Sequence, residues 1–570
     1  MTSLKKYISA TLIIAVLFGA GGCRKNFGEI NTNPSVVINP DIGFLLSYSE
    51  DRMITYQYTE WIWESMEQLM RFTQHLTTDP YELTSNVNLR YGTLYRDVLP
   101  NLVEIRNQIS KKEDSSSYRK ATALTYVAGI LHALKVTDMN GSIPYINAIK
   151  ARTENRFDPE YDSQETLFAL WLNELNAAIA TMGDNSLTGQ YSFGTADVFY
   201  KGDWIKWIKL ANSLKLRIAA RLENVDNART RTIFQQVLAD TRGPITDIAD
   251  QLNYQSLEYL PFGSGGEIVY RSQRFGTTSI IDFMKKVNDP RLPIYFEPNG
   301  LTGSFKDTLT KYGSTLPAFI AINDPLIAYQ GGPADFTTNP TRAGYIKNAF
   351  PVGNNNPGNS VTNYFLISPV NRFFFSPKFN KPDGGQYREV AVSAAEGCLQ
   401  IAEFIQKGYA GTVNTKGTLK EWYEKGIRAS ILTMNEIATI AQSTTGFSGN
   451  GLSEINAYLA STNVALNGTN DKERIYIQQH LNFYRNPNEA YVFSRRTGYP
   501  RTGSAYYGRE TFNEPIPRRF WLLDPGETNR ANWQKAMTDQ GFTPNAQDLP
   551  TLSTQRIWYD KTAPAFGAGN

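Results

Sequence analysis

The sequence predicts a mainly α protein, with paired helices before and after an irregular, loop-rich centre. Three observations predict it. Apolar residues recur at three- and four-residue spacing in long segments on both sides of the centre, which places them on one helical face. Between residues 243 and 385 that period fades while glycine and proline rise, as in PFGSGG, FEPNGLTG, YQGGPADF and VGNNNPGN. Besides Cys23, the chain carries one cysteine, Cys398, so packing rather than disulfides must hold the fold.

The first element is a leader. Lys5 and Lys6 precede an apolar run from Ile8 to Phe18, too short to span a bilayer as a helix. Ala20-Gly21-Gly22-Cys23 follows, an order that looks like a lipoprotein signal. Cleavage before Cys23 would leave that residue as the new N-terminus, with lipid on its sulfur and its amino group. Residues 1–22 are therefore expected to be removed and the rest exported and membrane-tethered through the lipid. Each buried methylene of such chains adds about 0.8 kcal/mol. Residues 23–40 are polar, broken by Pro34 and Pro40, and read as a lipidated flexible tether. Residues 41–570 are expected to form a single body.

Helical patterns follow in order. Trp61-Ile62 through Leu69-Met70 has helical spacing, and Val98, Leu102, Ile105 and Ile109 share a face within Tyr95 to Ile109. Tyr118 to Val136 is rich in alanine and leucine. Asp162-x-x-Glu165 reads as the cap of a helix running to Met182, with Leu167, Leu170, Trp171, Leu175 and Ile179 inward. Asp203 to Leu222 repeats the pattern through Trp204, Trp207, Ile208, Ala211, Leu214 and Ile218. Its Lys206, Lys209, Lys215, Arg217 and Arg221 are expected largely on the other face. The centre is expected to hold loops with short strands or helices. Helices return at Arg388 to Gln406, Thr418 to Ala441 and Asp471 to Tyr484, and the tail from 495 is loop-rich and aromatic.

Charge and composition narrow the function class. A net charge of +3 drops by two when Lys5 and Lys6 leave, a balance that argues against nucleic acid as a partner. Thirty-two tyrosines against three histidines suit ring faces and hydroxyls more than proton transfer near pH 7. His75, His132 and His480 have no metal-ligand spacing, and no nucleophile elbow or Walker loop occurs. Asp158, Glu160, Asp162 and Glu165 cluster as oxygen donors of the kind calcium takes, but helix capping accounts for the last two. No cofactor is expected beyond the covalent lipid.

Several strings together resemble the SusD/RagB family of nutrient-binding outer-membrane lipoproteins, in its SusD-like branch. They are Phe27-Gly28-Glu29-Ile30-Asn31-Thr32-Asn33-Pro34, then Asp138-Met139-Asn140-Gly141-Ser142-Ile143-Pro144-Tyr145. Asp197-Val198-Phe199-Tyr200-Lys201-Gly202-Asp203, with Lys206-Trp207 and Ala211-Asn212-Ser213-Leu214-Lys215-Leu216-Arg217, is the strongest. Asp289-Pro290-Arg291, Ala402-Glu403 with Gly408-Tyr409, Tyr423-Glu424-Lys425-Gly426-Ile427, Arg495-Arg496-Thr497 and Arg518-Arg519-Phe520 follow in the family's order. The resemblance implies a body of about four tetratricopeptide-like helix pairs, not an enzyme. It implies an outer-membrane location and a SusC-like, TonB-dependent barrel as partner, over which the lipoprotein closes as a lid to deliver an oligosaccharide or peptide. Acidic residues after the lipid cysteine favour surface export in these bacteria; here Arg24 and Lys25 stand there and Glu29 is the first acid. A surface glycoside hydrolase with two loop carboxylates and a pure assembly scaffold remain the alternatives.

Most of the shared strings read as architecture. Gly141 and Pro144 are expected to set a turn against which Tyr145 packs. Arg495-Arg496 and Arg518-Arg519 are expected to meet acids or carbonyls where loops cross. Ligand contacts are expected in the loops, where rings stack on sugar C–H faces and amides or guanidinium groups bond hydroxyls. Residues 77–91 offer Tyr81, Asn86, Asn88, Arg90 and Tyr91, and by position resemble a loop that lines the family's site. The central loops add Tyr270, Arg271, Tyr364 and Phe373.

Overall fold

The structure, a computed structural model, describes residues 40–54, 60–78, 87–255, 274–353, 361–372, 386, 388–447 and 449–570. It is 53% helix and 6% strand, which makes the protein mainly α. The N-terminal helices are α1 (Ile42–Ile54), a π-wound α2 (Glu60–Met70), α3 (Leu99–Ser110), α4 (Arg119–Asn140), α5 (Gln164–Gly183), α6 (Trp204–Leu222) and α7 (Asn227–Ala239). After the centre come α8 (Ala394–Gln406), α9 (Leu419–Ile440), α10 (Leu452–Ala460), α11 (Asp471–Asn482), α12 (Pro487–Thr497) and α13 (Arg530–Gln540). Helix pairs pack as the repeat reading expects: α1 on α3, α4 on α5, α6 on α7, and α8 on α9. Contacts of α3 with α4 and of α5 with α6 join successive pairs, so one core runs from Ile42 to Tyr559.

Local chemistry explains most boundaries. Asp203 caps α6, its carboxylate accepting from the Ile205 and Lys206 amides, and Trp207 is fully buried. Thr418 and Glu421 close a capping box on α9. The cap of α5 is Ser163 rather than Asp162: its hydroxyl accepts from the Thr166 amide. Asp162 instead accepts from the amides of Tyr145 and Ile146, 2.9 Å each, and so pins the turn after α4. In that turn Gly141 has φ +80°, and an added Cβ would lie 2.2 Å from Gln540 Oε1. Tyr145 packs edge-on against Trp171.

Two expectations are corrected. The stretch from Arg388 does not begin as helix: Arg388–Val392 forms a strand paired with Leu252–Gln255, and Ser393 then caps α8. Alternating valines favour the extended form there. The basic residues of α6 do not all face water. Lys215, Arg217 and Arg221 are buried. Arg217 binds Glu396 on α8 at 2.6 and 2.8 Å. Arg221 binds Asp138 on α4 and Glu489 on α12 at 2.6–2.8 Å. Arg496 of α12 binds Glu403 of α8 and Glu223 beyond α6, and Lys407 joins the same acids. Burial alone would raise the Glu403 carboxyl; Arg496 and Lys407 outweigh it and hold it well below the usual carboxylate range. Arg495 donates to the Arg518 carbonyl at 3.0 Å, and Arg518 pairs with Asp560. The arginine pairs thus meet carbonyls and acids at chain crossings, as expected, but inside the protein.

The centre holds short helices, including Thr278–Lys286 and Phe305–Tyr312, and short strands. A satellite core of Leu301, Phe305, Leu309, Val352, Tyr364 and Leu366 supports it.

Candidate functional site

Four short chain segments lie side by side at the centre. β1 (Leu76–Thr78) pairs antiparallel with β2 (Arg274–Gly276), Thr78 opposite Arg274. The segment 368–370 joins the other edge: the Gly276 amide donates to the Ser368 carbonyl at 3.1 Å, and the Val370 amide to the Arg274 carbonyl at 3.1 Å. Residues 296–300 come next, with the Glu297 amide on the Pro369 carbonyl at 2.9 Å and the Gly300 amide on the Phe365 carbonyl at 2.6 Å. Gly300 is required there, because a Cβ would sit 2.7 Å from the Phe365 nitrogen. Asn299 ties the layer together: its amide donates to the carbonyls of Ile327 and Leu366, and its oxygen accepts from the Leu301 amide.

A cavity of about 300 Å³ opens on this platform, lined by Phe275, Asn299, Gly300, Thr302, Phe365 and Ile367 with Pro298 and Pro369. Phe275 and Ile367 form a buried apolar floor, while Phe365 is 56% exposed at the edge. No charged side chain is among the described lining residues. A rigid ring beside an apolar hollow with a few hydroxyl and backbone groups is suited to holding an uncharged, partly apolar ligand.

The sequence-predicted residues fall around this platform in different ways. Tyr81, Asn86, Tyr270, Arg271 and Phe373 lie outside the described residues, as does Cys23. Thr78, Arg274 and Arg372, the described residues nearest in sequence to Tyr81, Arg271 and Phe373, belong to the platform or adjoin it. Asn88, Arg90 and Tyr364, expected as loop-surface contacts, are instead buried and engaged. Asn88 accepts from Asn140 at 2.9 Å, and Glu64 accepts from the amides of Asn88 and Leu89 at 2.7 and 2.9 Å. Arg90 donates to Asn488 at 2.7 Å and faces Glu64 at 3.4 Å. Burial pushes the Glu64 carboxyl up to about 7 against the pull of Arg90. Tyr91 is partly buried, 4.6 Å from the Tyr95 ring, and burial raises its phenol well above the ordinary value. Tyr364 sits in the satellite core. Phe365, the exposed ring, escaped the sequence reading because Tyr364-Phe365-Leu366-Ile367 is one apolar run whose inward members dominate.

Among the described residues, no group of three or more His, Cys, Asp or Glu side chains could hold a metal ion. Asp162 is engaged with backbone amides and Glu160 with Arg156, which leaves the acidic cluster at 158–165 without a calcium-like arrangement. No described helix is long and apolar enough to cross a membrane.

The fold has close relatives among solved structures. A chitin-binding protein superposes with a TM-score of 0.65 at 21% identity, over 91% of this chain and all of that one. A chitin-binding SusD homologue from Flavobacterium johnsoniae gives 0.63 at 19%, over 92% of this chain and 99% of its own. A SusD homologue from Bacteroides fragilis gives 0.65 at 21%, over 92% and 100%. No curated protein matches in sequence. The family model described as "Starch-binding associating with outer membrane" matches residues 32–327 and 335–522. The match spans most of the chain, and the chain belongs to the SusD-like family of outer-membrane-associated binding proteins, a family of binders rather than enzymes.

Proposed function

We propose that the protein captures an oligosaccharide at the Phe365 platform and delivers it to a TonB-dependent, SusC-like barrel, tethered by lipid on Cys23. The observation that carries this reading is the exposed Phe365 ring beside an apolar cavity of about 300 Å³. A sugar's C–H face covers such a ring while its hydroxyls reach Thr302, backbone groups and water. Two structural relatives bear the name chitin-binding, which supports a glycan over a peptide. The Ala20-Gly21-Gly22-Cys23 tetrad supports the tether, and the family supports the barrel partner.

The test uses full-length mature protein with Cys23→Ala, incubated with chito-, cello- and malto-oligosaccharides and with peptides. Saturable binding of an oligosaccharide with no shortened products is expected. Release of shortened products would establish an enzyme instead, and binding of peptides alone would move the ligand class. For the tether, wild-type protein is expected in the membrane fraction and Cys23→Ala in the soluble one; membrane retention of the variant would refute lipid anchoring.

A further inference from the structure

A second cavity, of about 430 Å³, lies beside the Asp289-Pro290-Arg291 string and shares no lining residue with the Phe365 platform. Its volume lies in the range of small-molecule sites. The charges of the string are spent inward. Arg291 binds Asp289 at 2.7 and 2.9 Å, and both Ser430 of α9 and Gln478 of α11 at 2.9 Å. The Tyr458 hydroxyl donates to Asp289 at 2.8 Å. All five residues are buried. This network fixes the cavity wall and leaves ligand contacts to other side chains.

Much of that wall is apolar: Val287, Pro290, Leu292, Pro293 and Leu326 stand there with the ring of Tyr329. Three polar side chains on it have bonding capacity left. The Asn288 amide and the Tyr329 hydroxyl make no hydrogen bond among the described residues. The Ser461 hydroxyl accepts one, from the Asn463 amide at 3.4 Å, and its own proton meets no acceptor among the described residues. Asn288 is exposed, and Tyr329 and Ser461 are partly so, which leaves all three open to a ligand. Asn288 holds φ +51°, a left-handed conformation that asparagine tolerates better than most residues. Glu454 adds a carboxylate, and no lysine, arginine or histidine lines the cavity among the described residues. Lys285, beside Tyr329, is held by Asp324 and by the Tyr329 carbonyl.

An apolar wall with one ring suits the C–H face of a sugar, and an uncommitted amide, phenol and hydroxyl suit its hydroxyl groups. An anionic sugar would meet the Glu454 carboxylate with no lining cation to offset it. We propose that this cavity is a second saccharide site, which takes a neutral sugar unit independently of the Phe365 platform. The inference rests on the reading of the protein as a glycan binder. Residues 326–330 run between the two sites. Leu326 and Tyr329 line the second cavity, while the carbonyls of Ile327 and Ala328 accept from Asn299 of the platform. The second site therefore adjoins the first without sharing a side chain with it.

The experiment is calorimetric titration of the mature chain carrying Cys23→Ala. The probes are neutral chito-, cello- and malto-oligosaccharides, with oligogalacturonate as the anionic control. Ala457 lines the cavity and is exposed, so Ala457→Trp fills the space without disturbing the core. The parent is expected to titrate two sites, Ala457→Trp one, Phe365→Ala one, and the double variant none. Tyr329→Phe keeps the ring and Asn288→Gly keeps the left-handed backbone; each is expected to weaken the second site about fivefold. A single site that Phe365→Ala abolishes and Ala457→Trp leaves intact would overturn the proposal while the platform stands. A single site that Ala457→Trp abolishes and Phe365→Ala leaves intact would uphold the cavity and refute the platform. Preference of the cavity for oligogalacturonate, or no saccharide binding by the parent, would also overturn the proposal.

Discussion

Tyr364 and Phe365 are neighbours, yet one is 7% exposed in the satellite core and the other 56% exposed at the cavity edge. Replacing each with alanine should separate stability from binding. Tyr364→Ala leaves a void and is expected to cost about 3 kcal/mol in denaturant unfolding. Phe365→Ala should leave the unfolding midpoint nearly unchanged and remove a stacking face worth about 1–3 kcal/mol of ligand affinity, on the scale of base–aromatic stacking. If calorimetry shows ligand affinity untouched in Phe365→Ala, the platform is not the site. Arg496 belongs to the opposite class of residue. It bridges Glu403 and Glu223 inside the protein, at 3% side-chain exposure. Arg496→Met leaves two buried carboxylates with Lys407 as their one remaining cation and is expected to cost about 3 kcal/mol by denaturant titration. Sequence placed this arginine at a crossing but could not show that it is buried. Burial depends on which distant acids fold against it, and Glu223 and Glu403 are 273 and 93 residues away.

At the scale of elements, the long amphipathic helices were legible because their period and caps are local. α4, α6 and α9 end within a residue or a turn of where spacing and capping chemistry place them. α7 and α12 were not marked. α12 carries a legible start, Asn486 before Pro487 with Glu489 three residues on, yet its residues are buried all round, and no polar face reports the helical period. The cap of α5 shows how a local pattern can be shared by two functions. Ser163→Ala should cost about 1 kcal/mol as a lost cap. Asp162→Ala should leave the helix intact but loosen the Gly141–Tyr145 turn, which hydrogen exchange at the Tyr145 and Ile146 amides would read. Faster exchange confined to α5 in Asp162→Ala would return the capping role to that residue. The short strands of the platform were illegible in position, because three-residue strands are fixed by partners up to 200 residues away rather than by their own sequence.

Across the whole molecule, stability and binding are carried by different parts. Helix pairs and buried ion networks hold the scaffold, and the central platform is the proposed ligand face. The scaffold carries an acid-sensitive contact. His75 and His480 stack at 3.8 Å, fully buried; the His480 carbonyl and Thr73 engage His75, and Tyr507 engages His480. Burial pushes His75 down to about 4 and His480 well below its ordinary value. Between pH 6.5 and 4 the unfolded chain binds protons that the folded one does not. Stability is therefore complete above pH 6.5 and falls as pH drops toward 4, by on the order of 3 kcal/mol for His75. Urea midpoints from pH 8 to 4 check this, and the His75→Phe variant should flatten the profile. The central claim concerns the Phe365 platform, and its most direct measurement is oligosaccharide titration of mature protein beside Phe365→Ala at equal fold stability. The account predicts saturable binding by the first and a roughly tenfold or greater loss in the second. Equal affinity in both, with both proteins folded, would contradict it.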